Sequence, residues 1–491
     1  MLYICGMFLV KLSKTIIKHH RMNTQKTYSH FNFVKLVLAF SAVLLVASGS
    51  LIAQKVFTLE DCVNHALENN IRIKQSKLDV ETADINLLES KLNMLPSVNG
   101  GASHSFGWGR SVDMATYQYV DQQTQSSYFN LSSDMMLFNG FQKLNITKQR
   151  RAEHLAAKYN FDKMQNDISL TVASYYLQIL FSRELLNNSK EQAEITRQQI
   201  ERTSKLVEAG TLARGSLLEI QAQGANEEVN VIQAENQLNL AYLDLLQLLE
   251  MEAGTPFEID VPTLKVTKEP SLLPVQLIYN KALDLMPEIK SAEMYYQSSS
   301  HALSIAKGTR SPSLSMSAAL GTNYSDQIRM SNNPLDPAFE QIKPFENQWK
   351  DNRSTTLSLR LSIPIFNGYQ ISSYIGRSKL NLINADYNLE LAKNTLRKNV
   401  ETAYADAIAA HTTFKAREKS LVSLNEAFKY TEQKFNVGMV NAIDYNVGKN
   451  QLSRSESELL SAKYDYIFKL KILDFYLGRA LTLDDMKDFI D

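Results

Sequence analysis

The chain has almost no cysteine: Cys5 and Cys62 are the only two. Cys5 lies in a stretch expected to be removed, so the fold does not depend on oxidation. Cys62 holds an apolar position of a helical pattern, where core packing is the ordinary role. Net charge is also missing, with 52 basic residues against 52 acidic ones, and that balance excludes a nucleic-acid partner read from charge. His65, His104, His154, His301 and His411 show no metal-ligand spacing. Gly100-Gly101 and Gly107-x-Gly109 have no Lys-Ser/Thr after them, so no phosphate cradle is present. Ser304-x-x-Lys307 fits a minimal acylase pattern but lies on a helix without the accompanying motifs. The sequence therefore reads as a non-enzyme with no cofactor and no metal. Long hydrophobic runs are absent too, apart from residues 34–53.

That run follows Lys26 and Lys35 and ends in Ala47, Ser48, Gly49, Ser50 and Ala53. It reads as a secretory signal peptide, with Met22 as the natural start and cleavage after Ala53. A membrane anchor is the alternative, but the densest stretch, residues 36–46, is shorter than the ~20 residues a span needs. Removing the leader leaves 46 basic residues against 52 acidic ones.

What the chain does contain is written twice. Residues 59–251 return, diverged, at 275–478. Ala66-Leu67 matches Ala282-Leu283, Ile73-Lys74 matches Ile289-Lys290 and Pro96-Ser97 matches Pro312-Ser313, all at an offset of 216. Further on, Phe138-Asn139-Gly140 matches Phe366-Asn367-Gly368, Gly210 matches Gly438 and Gln223 matches Gln451, at an offset of 228. The second copy thus carries 12 extra residues between Ser313 and Phe366. The expected organisation is a leader (1–53), a first repeat (54–256), a linker (257–273), a second repeat (274–481) and a short acidic tail (482–491). Two similar units in one chain suit a pseudo-symmetric assembly better than a single active-site cleft.

Each copy reads helix, strand, strand, long helix, helix, with a break in the first helix near Asn69-Asn70 and at Pro287. In the strands the hydrophobic period is two. Leu357, Leu359, Leu361, Ile363 and Ile365 alternate with Ser358, Arg360 and Ser362. Phe129, Leu131, Met135 and Leu137 alternate with Asn130, Ser132 and Asp134. Leu314, Met316, Ala318 and Leu320, like Val98, Ala102, Phe106 and Trp108, alternate with small or polar residues. Two readings fit this pattern: a transmembrane strand between lipid and a wet lumen, and a soluble half-buried sheet. The six polar residues named for the second strands are the candidate lumen lining. Trp108 and Trp349 fit an interfacial aromatic girdle.

Residues 141–209 hold neither glycine nor proline, and neither do residues 377–437. As one helix the first of these runs for roughly 100 Å. An apolar seam recurs every seven residues: Val172, Ile179, Leu186, Ala193, Ile200 and Val207. The offset of 228 maps it onto Val400, Ala407, Phe414, Leu421, Phe428 and Phe435, the signature of coiled-coil packing in equivalent settings. The second seam position is polar, as at Ser182, Ser189, Thr196 and Thr203, so the helices should bury only a narrow stripe. Each long helix stops at a glycine turn, Gly210-Thr211-Leu212-Ala213 or Gly438-Met439-Val440, and a second helix returns.

The order and duplication of these pieces resemble the TolC family of outer-membrane efflux proteins, over residues 59–478. The pieces include Leu59-x-x-Cys62-x-x-x-Ala66-Leu67-x-x-Asn70, the Leu95-Pro96-Ser97 and Ser311-Pro312-Ser313 strand starts, Ile363-Pro364-Ile365-Phe366-Asn367-Gly368 and the two glycine turns. The resemblance implies a mainly α protomer with a membrane β-hairpin pair. Three such protomers would form a 12-stranded β-barrel continued by an α-helical coiled-coil barrel through the periplasm of a Gram-negative bacterium. It implies a passive duct, a periplasmic adaptor docking at the two glycine turns, and an inner-membrane RND or ABC pump that supplies the energy. In such proteins, Asp residues after the second turn line the periplasmic entrance, and Asp444 stands at a matching position, six residues after Gly438. Val447 and Val440 stand where some members carry a further Asp and an Arg, and Ser216 occupies the equivalent first-copy position, which leaves one acidic ring. The alternative role for Asp444 is to cap the helix that follows the turn. Two other functions stay open at this level: the exit duct of a type I protein-secretion system, and a soluble periplasmic coiled-coil scaffold.

Overall fold

Duplication governs the lengths of the helices. The first copy has α1 (Leu59–Asn69), α2 (Ile71–Leu92), α3 (Gln142–Glu208) and α4 (Arg214–Leu248), of 11, 22, 67 and 35 residues. The second has α5 (Val275–Leu285), α6 (Pro287–Gly308), α8 (Gln370–Asn436) and α9 (Ala442–Tyr476), again of 11, 22, 67 and 35 residues. This computed structural model describes residues 56–112, 117–252, 254, 256–262, 273–331, 340–479 and 481–482. The expected leader, residues 263–272 of the linker and the tail after residue 482 lie outside the described residues.

Helix breaks follow local chemistry. The Asn70 side chain accepts from the Arg72 amide at 2.9 Å, which starts α2, and donates to the Leu248 carbonyl at 2.9 Å, which ties that corner to the end of α4. Its counterpart is Met286, with Pro287 opening α6. α8 begins seven residues before the glycine-free run and passes through Gly376, because a lone glycine costs a helix only ~1 kcal/mol. At the strand-to-helix corners two consecutive residues are left-handed in each copy: Gly140 and Phe141, then Gly368 and Tyr369. Glu250 is left-handed as well, and its carboxylate accepts from the Ile71 amide at 3.2 Å.

Two equivalent apolar cores sit where the short helices cross the long ones. Cys62, Ala66, Val172 and Ile179 are fully buried in the first, and Ile278, Ala282, Val400 and Ala407 in the second. Each of these residues maps onto its mate by the offsets read from the sequence. A short parallel ribbon, β1 (Val56–Phe57) with β4 (Glu258–Ile259), closes the first core, and the Tyr176 hydroxyl donates to the Asp260 carbonyl at 2.7 Å.

The four long strands are β2 (Ser97–Val112), β3 (Tyr119–Phe138), β5 (Ser313–Ser325) and β8 (Ser354–Ser362). They form one antiparallel sheet in the order β2-β3-β5-β8. In that order β3 and β5 join the two copies, and β2 and β8 are the edges. The extra residues of the second copy build a small hairpin, β6 (Arg329–Ser331) with β7 (Glu340–Ile342), and the helix α7 (Phe345–Asp351). α7 takes the place of a longer β8. The fully buried Gln348 amide bonds both the Ser325 amide (2.9 Å) and the Ser325 carbonyl (2.8 Å), as a neighbouring strand would.

Candidate functional site

Three regions carry the functional argument: the faces of the sheet, the helical hairpin tips, and a buried polar cluster above the tips.

Residues paired across a sheet point to the same face. Ser97 pairs with Asp134, Asn99 with Ser132 and Gly101 with Asn130. Ser317 pairs with both Asp134 and Ser358, and Arg360 pairs with Ser315. Asn130, Ser132, Asp134, Ser358, Arg360 and Ser362 therefore share one small, polar face. Leu131 pairs with Leu320, Met135 with Met316 and Leu359 with Met316, so the opposite face is largely apolar, with Ser133, Thr322 and His104 as polar interruptions. Leu357, Leu359 and Leu361 are 69%, 66% and 62% exposed, so this apolar surface is open to its surroundings. On the same face at the far end, Phe129 meets Trp349 of α7 with ring centroids 4.9 Å apart.

At the other end both hairpin tips close in the same way. The Gly210 and Gly438 φ angles are +76° and +78°. The Thr211 amide donates to the Leu206 carbonyl (3.0 Å) and the Gly210 amide to the Val207 carbonyl (3.0 Å). In the second copy the Met439 amide bonds the Lys434 carbonyl (2.9 Å) and the Gly438 amide the Phe435 carbonyl (3.0 Å). Both are the two-bond glycine stop that satisfies the last carbonyls of a helix. Thr211, Ala213 and Met439 are exposed, while Leu212 and Val440 are half-buried. Val440 packs against Ile220, Phe435 and Tyr445, a small apolar core that joins the two tips.

Asp444 does not cap its helix. Asn441 does, accepting from the Asp444 amide at 2.8 Å, and Asp444 stands three residues into α9 with its side chain exposed. The cap precedes Asp444 because the turn ends one residue after Val440, and Asn serves there as well as Asp.

Above the tips lies a cluster that the seam reading missed. Lys449 of α9 is 2% exposed and its ammonium lies 3.2 Å from the Glu227 carboxylate of α4, itself 5% exposed. The ammonium also donates to the Gln192 carbonyl of α3 at 3.0 Å. The Thr196 hydroxyl contacts both charged groups. Gln223 and Asn450 exchange amide hydrogen bonds at 2.7 and 3.2 Å. Burial lowers the Lys449 pKa from its ordinary value, and Glu227 opposes that shift. The cluster pins three helices from both copies in one register. Thr196 and Thr203 are 2% and 0% exposed, more deeply buried than the apolar line beside them, so near the tips the buried stripe is polar. A signal was present in the sequence: Lys449 falls on the apolar spacing of Ala442, Tyr445, Leu452 and Ser455, where a charge needs a buried partner.

Comparison with known proteins agrees with this arrangement. The chain is 23% identical over 455 residues to the outer membrane protein TolC of Vibrio cholerae, covering 92% of this chain and 97% of that one. It is 20% identical over 413 residues to the outer membrane protein TolC of Escherichia coli K12, covering 84% and 80%. Among solved structures, CusC superposes with a TM-score of 0.72 at 18% identity, covering 86% of this chain and 92% of that chain. The Campylobacter jejuni CmeC outer membrane channel superposes with a TM-score of 0.69 at 17% identity, covering 88% and 90%. The family of outer membrane efflux proteins matches residues 62–250 and 278–479, one segment on each structural repeat. The chain belongs to the outer membrane efflux protein family, and it is an outer-membrane exit duct.

Proposed function

We propose that three copies of this chain close a 12-stranded barrel in the outer membrane and carry small molecules outward without catalysis. The observation that carries this reading is the four-stranded sheet, apolar on one face and polar on the other, with β2 and β8 left as edges. Open edges cannot stand in lipid, because their amides and carbonyls lose water without gaining partners. Two copies would give eight strands, and a barrel of that size is filled by its own side chains. Three copies leave a wet lumen, lined by the polar face that includes Asn130, Ser132, Asp134, Ser358, Arg360 and Ser362. Below it the 67-residue helices α3 and α8 reach ~100 Å into the periplasm.

In this reading the chain supplies the path and an inner-membrane pump, of RND or ABC type, supplies the work. A periplasmic adaptor grips the two tips at Gly210, Thr211, Leu212, Ala213, Gly438, Met439 and Val440. The exposed Met439 (74%) and Val437 (71%) give it apolar contact. Asp444 forms an acidic ring around the entrance. The experiment is an export assay with Met439→Glu, which keeps the left-handed glycine intact. Export should fall while the trimer persists. Full export in Met439→Glu combined with Leu212→Glu would place docking elsewhere.

A further inference from the structure

The apolar face of the sheet changes character toward its outward end, away from the long helices. Alternate residues back along β8 share that face: Leu361, Leu359, Leu357 and Thr355, and then Arg353 just ahead of the strand. From Leu361 to Arg353 the strand climbs about 27 Å along its own axis, or roughly 20 Å in height at a tilt of about 35–45°. A membrane barrel carries an apolar band ~25 Å tall, so Arg353 stands at headgroup level on the outward side. Long basic side chains work well at such a level, with their stems along apolar surface and their charges in the polar layer.

Two grooves open on this face at that level. Phe129 and Trp349, with ring centroids 4.9 Å apart, wall both of them. Phe345, Glu346 and Lys350 of α7 complete the first, and Gly100, Ala102, Leu131, Leu320 and Arg353 help to complete the second. Each holds ≈ 580 Å³, within the roughly 300–1,000 Å³ of small-molecule sites. The second groove exists because β2 is small there. A Cβ on Gly100 would meet only the Leu131 Cδ1 at 3.8 Å and the Asn130 carbonyl oxygen at 4.0 Å, and Gly100 is not left-handed. A larger side chain would fit, and glycine leaves the space open. Leu131, Leu320, Phe345 and Trp349 are all exposed, and a contiguous apolar surface of this kind marks a place that something covers.

Each groove also has one cation. Neither Lys350 nor Arg353 has an acidic partner among the described residues, and Asp351, between them in sequence, is held by Lys343 at 2.5 Å. Glu346 is the one acid that lines either groove. We infer that each copy binds one doubly phosphorylated glycolipid of the outer leaflet here, with acyl chains in the two grooves astride Phe129 and Trp349 and phosphates on Arg353 and Lys350. The site rests on the outer-membrane barrel proposed above, which puts this face in lipid, and adds a specific occupant. A guanidinium takes phosphate through two parallel hydrogen bonds, and an ammonium takes it as a point charge. Two grooves with a cation apiece suit a lipid with several chains and two phosphates, whereas phosphatidylglycerol, with a single phosphate, leaves one cation unused. Glu346 partly cancels Lys350, so Arg353 is the stronger contact. α7 lies in the insertion that only the second repeat carries, so each copy offers one site.

The test is native mass spectrometry of the full chain, purified from membranes as trimers in detergent and mixed with lipid A, phosphatidylglycerol or phosphatidylcholine. Parental trimers should retain lipid A, up to one molecule per copy, and several-fold less of either phospholipid. Arg353→Gln should lower lipid A retention several-fold and Lys350→Gln should lower it less. Glu346→Gln should raise it, a gain that damage to the fold would not produce. Gly100→Leu fills the second groove and should lower retention in trimers that remain intact. Equal retention of lipid A and phosphatidylglycerol would overturn the doubly phosphorylated occupant. Intact trimers that retain no lipid A, or retain it equally in the parent, Arg353→Gln and Gly100→Leu, would overturn the site. A chain recovered only as monomers outside the membrane would overturn the barrel on which the site rests.

Discussion

Removing one half of the Lys449–Glu227 pair should be among the most damaging single changes in the helical hairpins. In Lys449→Met the Glu227 carboxylate keeps the Thr196 hydroxyl and the Gln223 amide, the latter at 3.1 Å, but loses the one cation that pairs with it among the described residues. Both side chains are almost fully buried, 3% and 7% exposed, so water cannot replace the lost partner. Breaking such a pair costs about 3–5 kcal/mol, whereas replacing both members costs far less. Met fills nearly the volume of the lysine stem, so the cost is electrostatic rather than a cavity. The assay is amide hydrogen exchange along α9 in the detergent-solubilised protein, reading residues near Lys449. A loss of 3 kcal/mol in local opening speeds exchange by about two orders of magnitude. Lys449→Met with Glu227→Gln should recover most of that protection. Exchange at the parental rate in Lys449→Met would refute the reasoning, and so would a double variant that loses as much as the two single ones added together.

Other outcomes follow from the same contacts. Leu359→Arg puts a charge on the apolar face, at a cost of about 2–4 kcal/mol at mid-membrane, while Ser358→Arg points to the face that already holds Arg360. Trimer yield should fall in the first and hold in the second; equal yields would contradict the transmembrane assignment. The Tyr466 hydroxyl is fully buried with no hydrogen-bond partner among the described residues, and burial pushes its pKa up from 10.0 to about 12. With the folded pKa raised, stability is at its full value below pH 10 and falls as pH climbs toward 12, where the unfolded phenol ionises first. Tyr466→Phe should match or exceed parental stability at neutral pH, and its thermal midpoint should fall less between pH 10 and 12. A lower midpoint at neutral pH would show that the hydroxyl has a partner after all.

Much of the architecture was legible because duplication made every weak signal appear twice. The glycine turns, the corner at Asn70 and Pro287, and the period-two strands each recur at a fixed offset, and each became an element of the expected kind. Sheet order and register were not legible, since alternation gives the faces of a strand but not its neighbours. The long seam was read correctly where it is apolar, at Val172 and Ile179. Near the tips its Ile200, Phe428 and Phe435 pack in the small tip core, but the seam did not show that Thr196 belongs to a polar cluster whose members lie on three different helices. No spacing along one helix shows such a cluster. α7 was hidden for a different reason: it lies in the unduplicated insertion, so nothing in the first copy announced it. Asp444 was placed on the right helix, but the capping role considered for it belongs to Asn441.

The account stands most directly on electrical conduction by the purified protein. Trimers inserted into a planar lipid bilayer should open discrete, water-filled conductance steps without nucleotide or any other energy source. A lanthanide ion added on the side of the hairpin tips should block them through the Asp444 ring, since a multivalent cation binds several facing carboxylates. Asp444→Asn should conduct without that block, and because Asn441 caps the helix, its trimers should be as stable as the parent's. Block that persists in Asp444→Asn would remove Asp444 from the entrance. A bilayer that stays silent with verified trimers inserted would contradict the duct itself.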